Sequence, residues 1–227
     1  MKKEIYQIIL FLLPNRFKPH LQKLKLGYQL TNYESSYLVQ TGFIESTLNY
    51  DLKNQLGEYI PWMNYPVIEF LNKRIHNKLV VFEYGSGAST MFFAKRAKKI
   101  ISIEYDKDWY KKIKKELFKK ISNGQIHYHE LNDSYPRAID YHLNDQKCDV
   151  VVIDGRKRVK CAKRAFNYLS DIGVVIFDDT YRKCYKEGID FYKKKGFRSI
   201  IFKGIKPTGF GTDQTTILYR DNNCLGI

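Results

Sequence analysis

The residues with chemistry to offer lie at the ends of apolar runs. Val80-Val81-Phe82 closes on Glu83; Tyr84, Gly85, Ser86 and Gly87 follow, and Ala88, Ser89 and Thr90 lead into a helical pattern. Two glycines in such a turn let the backbone pass close to a ligand with no Cβ in the way. A second run, Ile100-Ile101-Ser102-Ile103, closes on Glu104 and Tyr105, with Glu104 standing 21 residues beyond Glu83. An acid at the tip of the neighbouring strand is placed to accept hydrogen bonds from ribose hydroxyls. Together these features specify a nucleoside cofactor. A dinucleotide fingerprint asks for a third glycine where this chain has Thr90, which disfavours a nicotinamide-dependent oxidoreductase. The Glu83 carboxylate suits a cationic amino group and would repel a pyrophosphate.

Further acids follow at later strand ends. Asp149 to Ile153 ends at Asp154, and Val174 to Phe177 ends at the pair Asp178-Asp179. Three carboxylates on adjacent strand tips raise one another's pKa unless a cation joins them. Mg²⁺, which favours carboxylate oxygens, is one such cation. In the other reading Asp178 or Asp179 caps the next helix and nearby arginines neutralise the rest. Arg156, Lys157, Arg158 and Arg182 crowd this edge and call for an anionic acceptor. Asn132 and Asp133, after the third strand, can reach an adenine edge or cap a helix.

The elements that must position these residues show in the hydrophobic rhythm. Apolar strands are expected at about 79–83, 99–104, 125–130, 148–153, 172–177, 197–203 and 214–220. Helices are expected over Asp106–Ile121, Lys157–Leu169 and Tyr181–Lys195. Alternating strands and helices imply right-handed crossovers and a parallel sheet covered on both faces. No helix separates the last two strands, so they should pair antiparallel. The Lys206–Gln214 loop between them is a candidate for acceptor contacts. Residues 1–78 lack this rhythm and form an N-terminal accessory segment, expected to be helical, ahead of a catalytic domain at 79–227. Within it, Tyr59–Pro66, with Trp62 and Tyr65, can act as a lid over the site or as a linker whose aromatics pack on the sheet.

The order acid-x-Gly-x-Gly-x-Ser from Glu83 to Ser89 resembles motif I of the class I S-adenosylmethionine-dependent methyltransferases. That resemblance implies a Rossmann-like, doubly wound seven-stranded sheet of five parallel strands and a C-terminal antiparallel pair. It implies S-adenosylmethionine held by the turn from Glu83 through Thr90, by Glu104 and Tyr105, by Asn132 and Asp133, and by Asp154. The chain is also similar to the metal-dependent O-methyltransferases of the catechol, caffeoyl-coenzyme A and macrolide-sugar types. These carry an Asp after strand four and Asp-Asn or Asp-Asp after strand five, and Asp154, Asp178 and Asp179 match those positions one by one. Lys157 stands three residues after Asp154, where the catechol type has its base. The resemblance covers about residues 79–220. It implies Mg²⁺-assisted methyl transfer to a hydroxyl of a small or glycan-type acceptor, with Lys157 or Asp154 taking the proton. The arginines flanking Lys157 depart from the catechol pattern.

Composition bounds the alternatives. The 227 residues are enough for one sizeable domain with an extension, and the formal net charge of +15 asks for an anionic substrate, a membrane surface or nucleic acid as partner. The lysine-rich stretch from Asp106 tempts a nucleic-acid reading. Its apolar residues Trp109, Tyr110, Ile113, Leu117 and Phe118 make one stripe, however, which leaves the lysines as its solvated face. An RNA ribose methyltransferase and a non-catalytic cofactor-binding module remain as alternatives. The cysteines Cys148, Cys161, Cys184 and Cys224 form no metal spacing, which fits a reduced, cytoplasmic setting. Apolar residues 5–13, followed by Arg16, Lys18, Lys23 and Lys25, are too few to span a bilayer and suggest peripheral membrane contact over 5–25.

Overall fold

The computed structural model describes residues 11–117, 119 and 121–227. The expected apolar stretch therefore lies largely outside the described residues, which take it up at Phe11. Strands β1 (Val80–Tyr84), β2 (Lys99–Glu104), β3 (Gly124–Tyr128), β4 (Cys148–Ile153), β5 (Leu169–Phe177), β6 (Arg198–Gly204) and β7 (Asp213–Tyr219) form one seven-stranded sheet. The order is β3-β2-β1-β4-β5-β7-β6. The first five strands run parallel, and β7 pairs antiparallel with both β5 and β6. This is the expected doubly wound sheet with its C-terminal antiparallel pair.

The alternation of side chains along the central strands builds a core on each face. Val81, Ile100, Val150, Val152, Val174 and Ile176 point to one face with α4 (Tyr65–Asn72) and α5 (Ala88–Arg96). Phe82, Ile101, Val151, Ile153, Val175 and Phe177 point to the other, under α7 (Ser134–Leu143), α8 (Arg158–Ala165) and α9 (Lys186–Lys194). The N-terminal part supplies α1 (Lys18–Asn32), α2 (Tyr37–Gln40) and α3 (Phe43–Asn49), and residues from Phe43 to Ile75 join the first of these clusters. Asn64 explains much of that seam. Its Oδ1 accepts the Val67 N–H at the start of α4, and its Nδ2 donates to Thr215 Oγ1 at 2.9 Å in β7. Tyr59–Pro66 is thus pinned to the sheet, and Trp62 alone of its aromatics reaches the strand-tip cleft.

Several helix boundaries differ from expectation. The helix expected from Asp106 is α6, Lys107–Leu117, because Asp106 caps it: its Oδ1 accepts the N–H groups of Asp108 and Trp109 at 3.0 and 2.8 Å. The helix expected over Lys157–Leu169 is α8 followed by a 3-10 turn at Phe166–Tyr168, and Leu169 already belongs to β5. The one expected from Tyr181 begins at Lys186, after a 3-10 turn at Lys183–Tyr185. No helix of the described residues is long and apolar enough to cross a membrane.

Candidate active site

The C-terminal ends of the parallel strands open into a cleft of about 470 Å³, within the ~300–1,000 Å³ usual for small-molecule sites. Gly85, Ser86 and Ser89 come from the turn after β1, Glu104 and Tyr105 from the tip of β2, and Asp154, Arg156 and Arg158 from the tip of β4. Asp178, Asp179 and Arg182 follow β5; Trp62 and Lys206 close the rim. Among the expected site residues, these are the ones the fold brings together.

The turn owes its shape to glycine at two points. Gly85 has φ +98°, and a Cβ there would lie 3.0 Å from the Gly155 nitrogen. Gly155 is just as confined, since a Cβ on it would meet the Tyr135 hydroxyl at 2.0 Å. The turns after β1 and β4 therefore touch backbone to backbone. Glu83 lies beneath them, fully buried; its Oε2 accepts the hydroxyls of Thr90 and Ser102, each at 2.6 Å, while Oε1 has no hydrogen-bond partner. Burial pushes its pKa up to about 7 against the pull of the neighbouring hydroxyls. Thr90 Oγ1 in turn accepts the Gly87 N–H, so Thr90 holds the turn from below.

Glu104 sits at the cleft floor with both oxygens engaged. Oε2 accepts the Ser86 N–H and hydroxyl at 3.1 and 2.9 Å, and Oε1 accepts the N–H groups of Tyr105 and Asp106 at 2.8 and 2.9 Å. Only the Ser86 hydroxyl among these donors is a free rotor that a ligand hydroxyl can replace. Tyr105 leans over the opening, and its hydroxyl accepts the Arg156 Nε–H at 3.1 Å. Trp109 is a correction to the buried stripe expected on α6. Its ring is 40% exposed at the cleft wall because its indole N–H donates to the Ser86 carbonyl at 2.8 Å. Ile113 is buried as expected, and the side chains of Leu117 and Phe118 lie outside the described residues.

Glu83 and Thr90 lie beneath the turn and Gly87 faces a neighbouring groove, and five further expected site residues lie away from the cleft lining. Tyr84 is fully buried and donates its hydroxyl to the Pro136 carbonyl. Asn132 and Asp133 are exposed in the β3–α7 turn, where Asn132 Oδ1 accepts the Ser134 N–H at 2.8 Å. Tyr65 is buried between Tyr37 and Phe43. Lys157 precedes α8 with φ +48°, and its ammonium stands 3.7 Å from Asp133.

Arg158 decides the chemistry of the acid cluster. Its guanidinium donates to the carbonyls of Gly155, Asp178 and Asp154 and to Asp154 Oδ1 at 2.9 Å, and it stands 3.2 Å from Asp179 Oδ2. Asp179 also faces Arg182 at 3.1 Å and Lys206 at 3.3 Å, and Lys206 pairs with Asp213 at 2.8 Å. Burial raises the pKa of Asp154 to about 7, with Arg158 opposing the shift. Burial and then the Asp154 charge push Asp178 well above the carboxylate range. Among the described residues, the acids that bring ligand oxygens within 4.8 Å of one another are Asp178, Asp179 and Asp213, not the expected Asp154, Asp178 and Asp179. The expected triad is not arranged for Mg²⁺, because the Arg158 guanidinium stands between Asp154 Oδ1 and Asp179 Oδ2 and Asp178 Oδ1 accepts the Thr215 hydroxyl at 2.6 Å; in the second group Lys206 bridges two of the three acids. Asp213 falls inside the Lys206–Gln214 loop expected to meet the acceptor but is not singled out there as an acid of the cluster, although β7 runs antiparallel and its first residue must lie at the site edge.

No protein-family model and no curated protein matches the sequence. Solved structures do match. One is a Staphylococcus aureus protein described as a caffeoyl-CoA O-methyltransferase, at 16% identity and a TM-score of 0.55 over 87% of this chain and 98% of that one. Another is an rRNA methylase from Streptococcus thermophilus, at 12% identity and 0.51 over 70% and 99% of the two chains. A third, from Streptococcus mutans, is described as a methyltransferase in complex with SAH, at 14% identity and 0.51 over 66% and 94%. At such identities the likeness is one of fold: the chain has the Rossmann-like methyltransferase fold.

Proposed function

We propose that the chain is an S-adenosylmethionine-dependent methyltransferase acting on a hydroxyl of a small, anionic, sugar-type acceptor. The observation that carries this reading is the convergence of Gly85, Ser86 and Ser89 from the turn after β1 with Glu104 and Asp154 on one cleft at the strand tips. When bound, the cofactor supplies an electrophilic methyl group on a sulfonium. The chain's own residues do the rest. Glu104 would hold the cofactor's ribose hydroxyls in place of the Ser86 hydroxyl it now accepts, and Tyr105 and Trp109 would offer apolar walls to its base.

Asp154, a quarter exposed at the cleft, accepts the acceptor's proton, and its pKa of about 7 suits a base working near neutral pH. Arg158 holds that carboxylate in place. Arg156, Arg182 and Lys206 favour an acidic or phosphorylated acceptor, while the half-exposed Trp62 ring offers a face for a sugar. Arg158 does here by fixed charge what a divalent cation does in the metal-dependent enzymes, namely join the strand-tip acids.

Calorimetric titration of S-adenosylhomocysteine into the full chain tests the reading. Micromolar binding by the wild type, weakened at least ~100-fold in Glu104→Ala by loss of charge-assisted hydrogen bonds, is the expected result. A folded wild-type chain that binds no S-adenosylhomocysteine would overturn it.

A further inference from the structure

Helix α1 has no buried residue, and its principal neighbours are α2 and the short turn at Asn15–Phe17. Leu24 is 72% exposed and Leu26 56%, and upstream Phe11 and Leu12 are 85% and 74% exposed. The same arm is one-sided in charge. From Ile5 to Tyr33 the sequence has no Asp or Glu, yet it carries Arg16, Lys18, Lys23 and Lys25. Large apolar side chains left in water mark a surface that something covers.

We propose that the arm formed by residues 11–33 docks the protein on an anionic membrane surface. A bilayer interface answers both features at once: Leu26 and Leu30, one turn apart on an exposed side of α1, enter the boundary of headgroup and acyl chain with Phe11 and Leu12, and the cations meet acidic lipids. Nucleic acid would neutralise the lysines but leave Leu24 and Leu26 wet. A second copy would cover the leucines but set two acid-free, cationic arms against each other. Helix α1, at ~1.5 Å per residue, is too short to span the ~30 Å hydrocarbon core, so it lies along the surface.

Ring contacts join the arm's neighbours to the cleft. Tyr37 of α2 meets Tyr65 with ring centroids 6.2 Å apart, and Phe43 of α3 meets both Tyr65 and the exposed Phe210 of the β6–β7 loop. That loop also carries Lys206 at the cleft rim. The docking proposal itself stands apart from the methyl-transfer reading.

Flotation of the full chain with vesicles tests it, using phosphatidylcholine alone or mixed with phosphatidylglycerol, at low and high salt. The expected result is flotation with the anionic vesicles, at least ~10-fold weaker partition into the neutral ones, and release by salt. The double variants Leu26→Gln/Leu30→Gln and Lys18→Gln/Lys23→Gln should each lower partition ~10-fold, with circular dichroism melts matching the wild type. Equal partition into both vesicle types, or no flotation, would overturn the proposal. So would a dimer seen by light scattering that the leucine variant dissolves, or RNA binding by a chain that ignores vesicles.

Discussion

Arg158 is the residue on which the acid cluster balances. With its guanidinium among Asp154, Asp178 and Asp179, removing the charge leaves buried carboxylates facing one another. Arg158→Gln should lower the unfolding free energy by about 3–5 kcal/mol at pH 7, as measured by urea denaturation. The sign of its pH dependence is fixed by the raised pKa values. Asp154, near 7 when folded, and Asp178, raised above its usual range, favour the fold below the ordinary carboxylate pKa and lose that contribution as pH rises through their folded values. Removing Arg158 raises both further, so the deficit should shrink at pH 5 and widen toward pH 8. A deficit that does not change between pH 5 and pH 8 would show that Arg158 acts by packing alone. Lys157 makes the opposite point about legibility. Its offset from Asp154 resembles that of a base, but a left-handed backbone sends its ammonium to Asp133, and no local signal in the sequence announces that turn.

At the scale of elements, the contact between the turns after β1 and β4 is the tightest constraint on the cleft. Gly85→Ala meets both a φ of +98° and a Cβ contact of 3.0 Å with Gly155. It should destabilise the protein by about 1–2 kcal/mol and weaken S-adenosylhomocysteine binding. Gly57→Ala is the control, at φ +74° with open space around it, and should strain the backbone without touching the cleft. Equal binding by the two variants in calorimetry would show that the turn tolerates displacement. The strands themselves were legible, because the central residues of β1, β2, β4 and β5 are buried on both faces and read as short, mostly apolar runs at 80–82, 100–103, 150–153 and 174–177. Helix ends were less so. Asp106 capping α6, and the 3-10 turns before α9 and after α8, depend on where each chain end meets the sheet. The acids after β4 and β5 were readable as a cluster, whereas its closure by Arg158, Lys206 and Asp213 needs the order of strands in space.

For the molecule as a whole, a histidine cluster opposes the strand-tip acids as pH falls. At the β3–α7 edge His127 stacks on His142 with ring centroids 3.7 Å apart, and His129 Nε2 lies 2.8 Å from His142 Nε2. Burial holds all three below the usual imidazole value, His142 down to about 4. The folded chain then keeps these rings neutral while the unfolded chain takes up protons below about 6.5. Their contribution is complete above that pH and is lost as pH falls toward 4, where the net charge of +15 grows further. Denaturant titrations across this window should show the stability difference between the wild type and His142→Gln moving against the wild type as pH falls. A variant that tracks the wild type would place the acid sensitivity elsewhere.

Both acid-bearing strand tips are followed by a non-glycine residue in the left-handed region, Lys157 at φ +48° and Asp179 at φ +57°. Such a conformation costs an ordinary residue roughly 1–2 kcal/mol, and an aspartate less. Glycine would relieve either position, but at 179 it would remove the carboxylate that Arg158, Arg182 and Lys206 share. Selection for heat tolerance thus meets no opposition from the cleft lining at position 157 and is opposed by it at 179. A lineage adapting to warmth would relax position 157 early and hold on to the strain at 179.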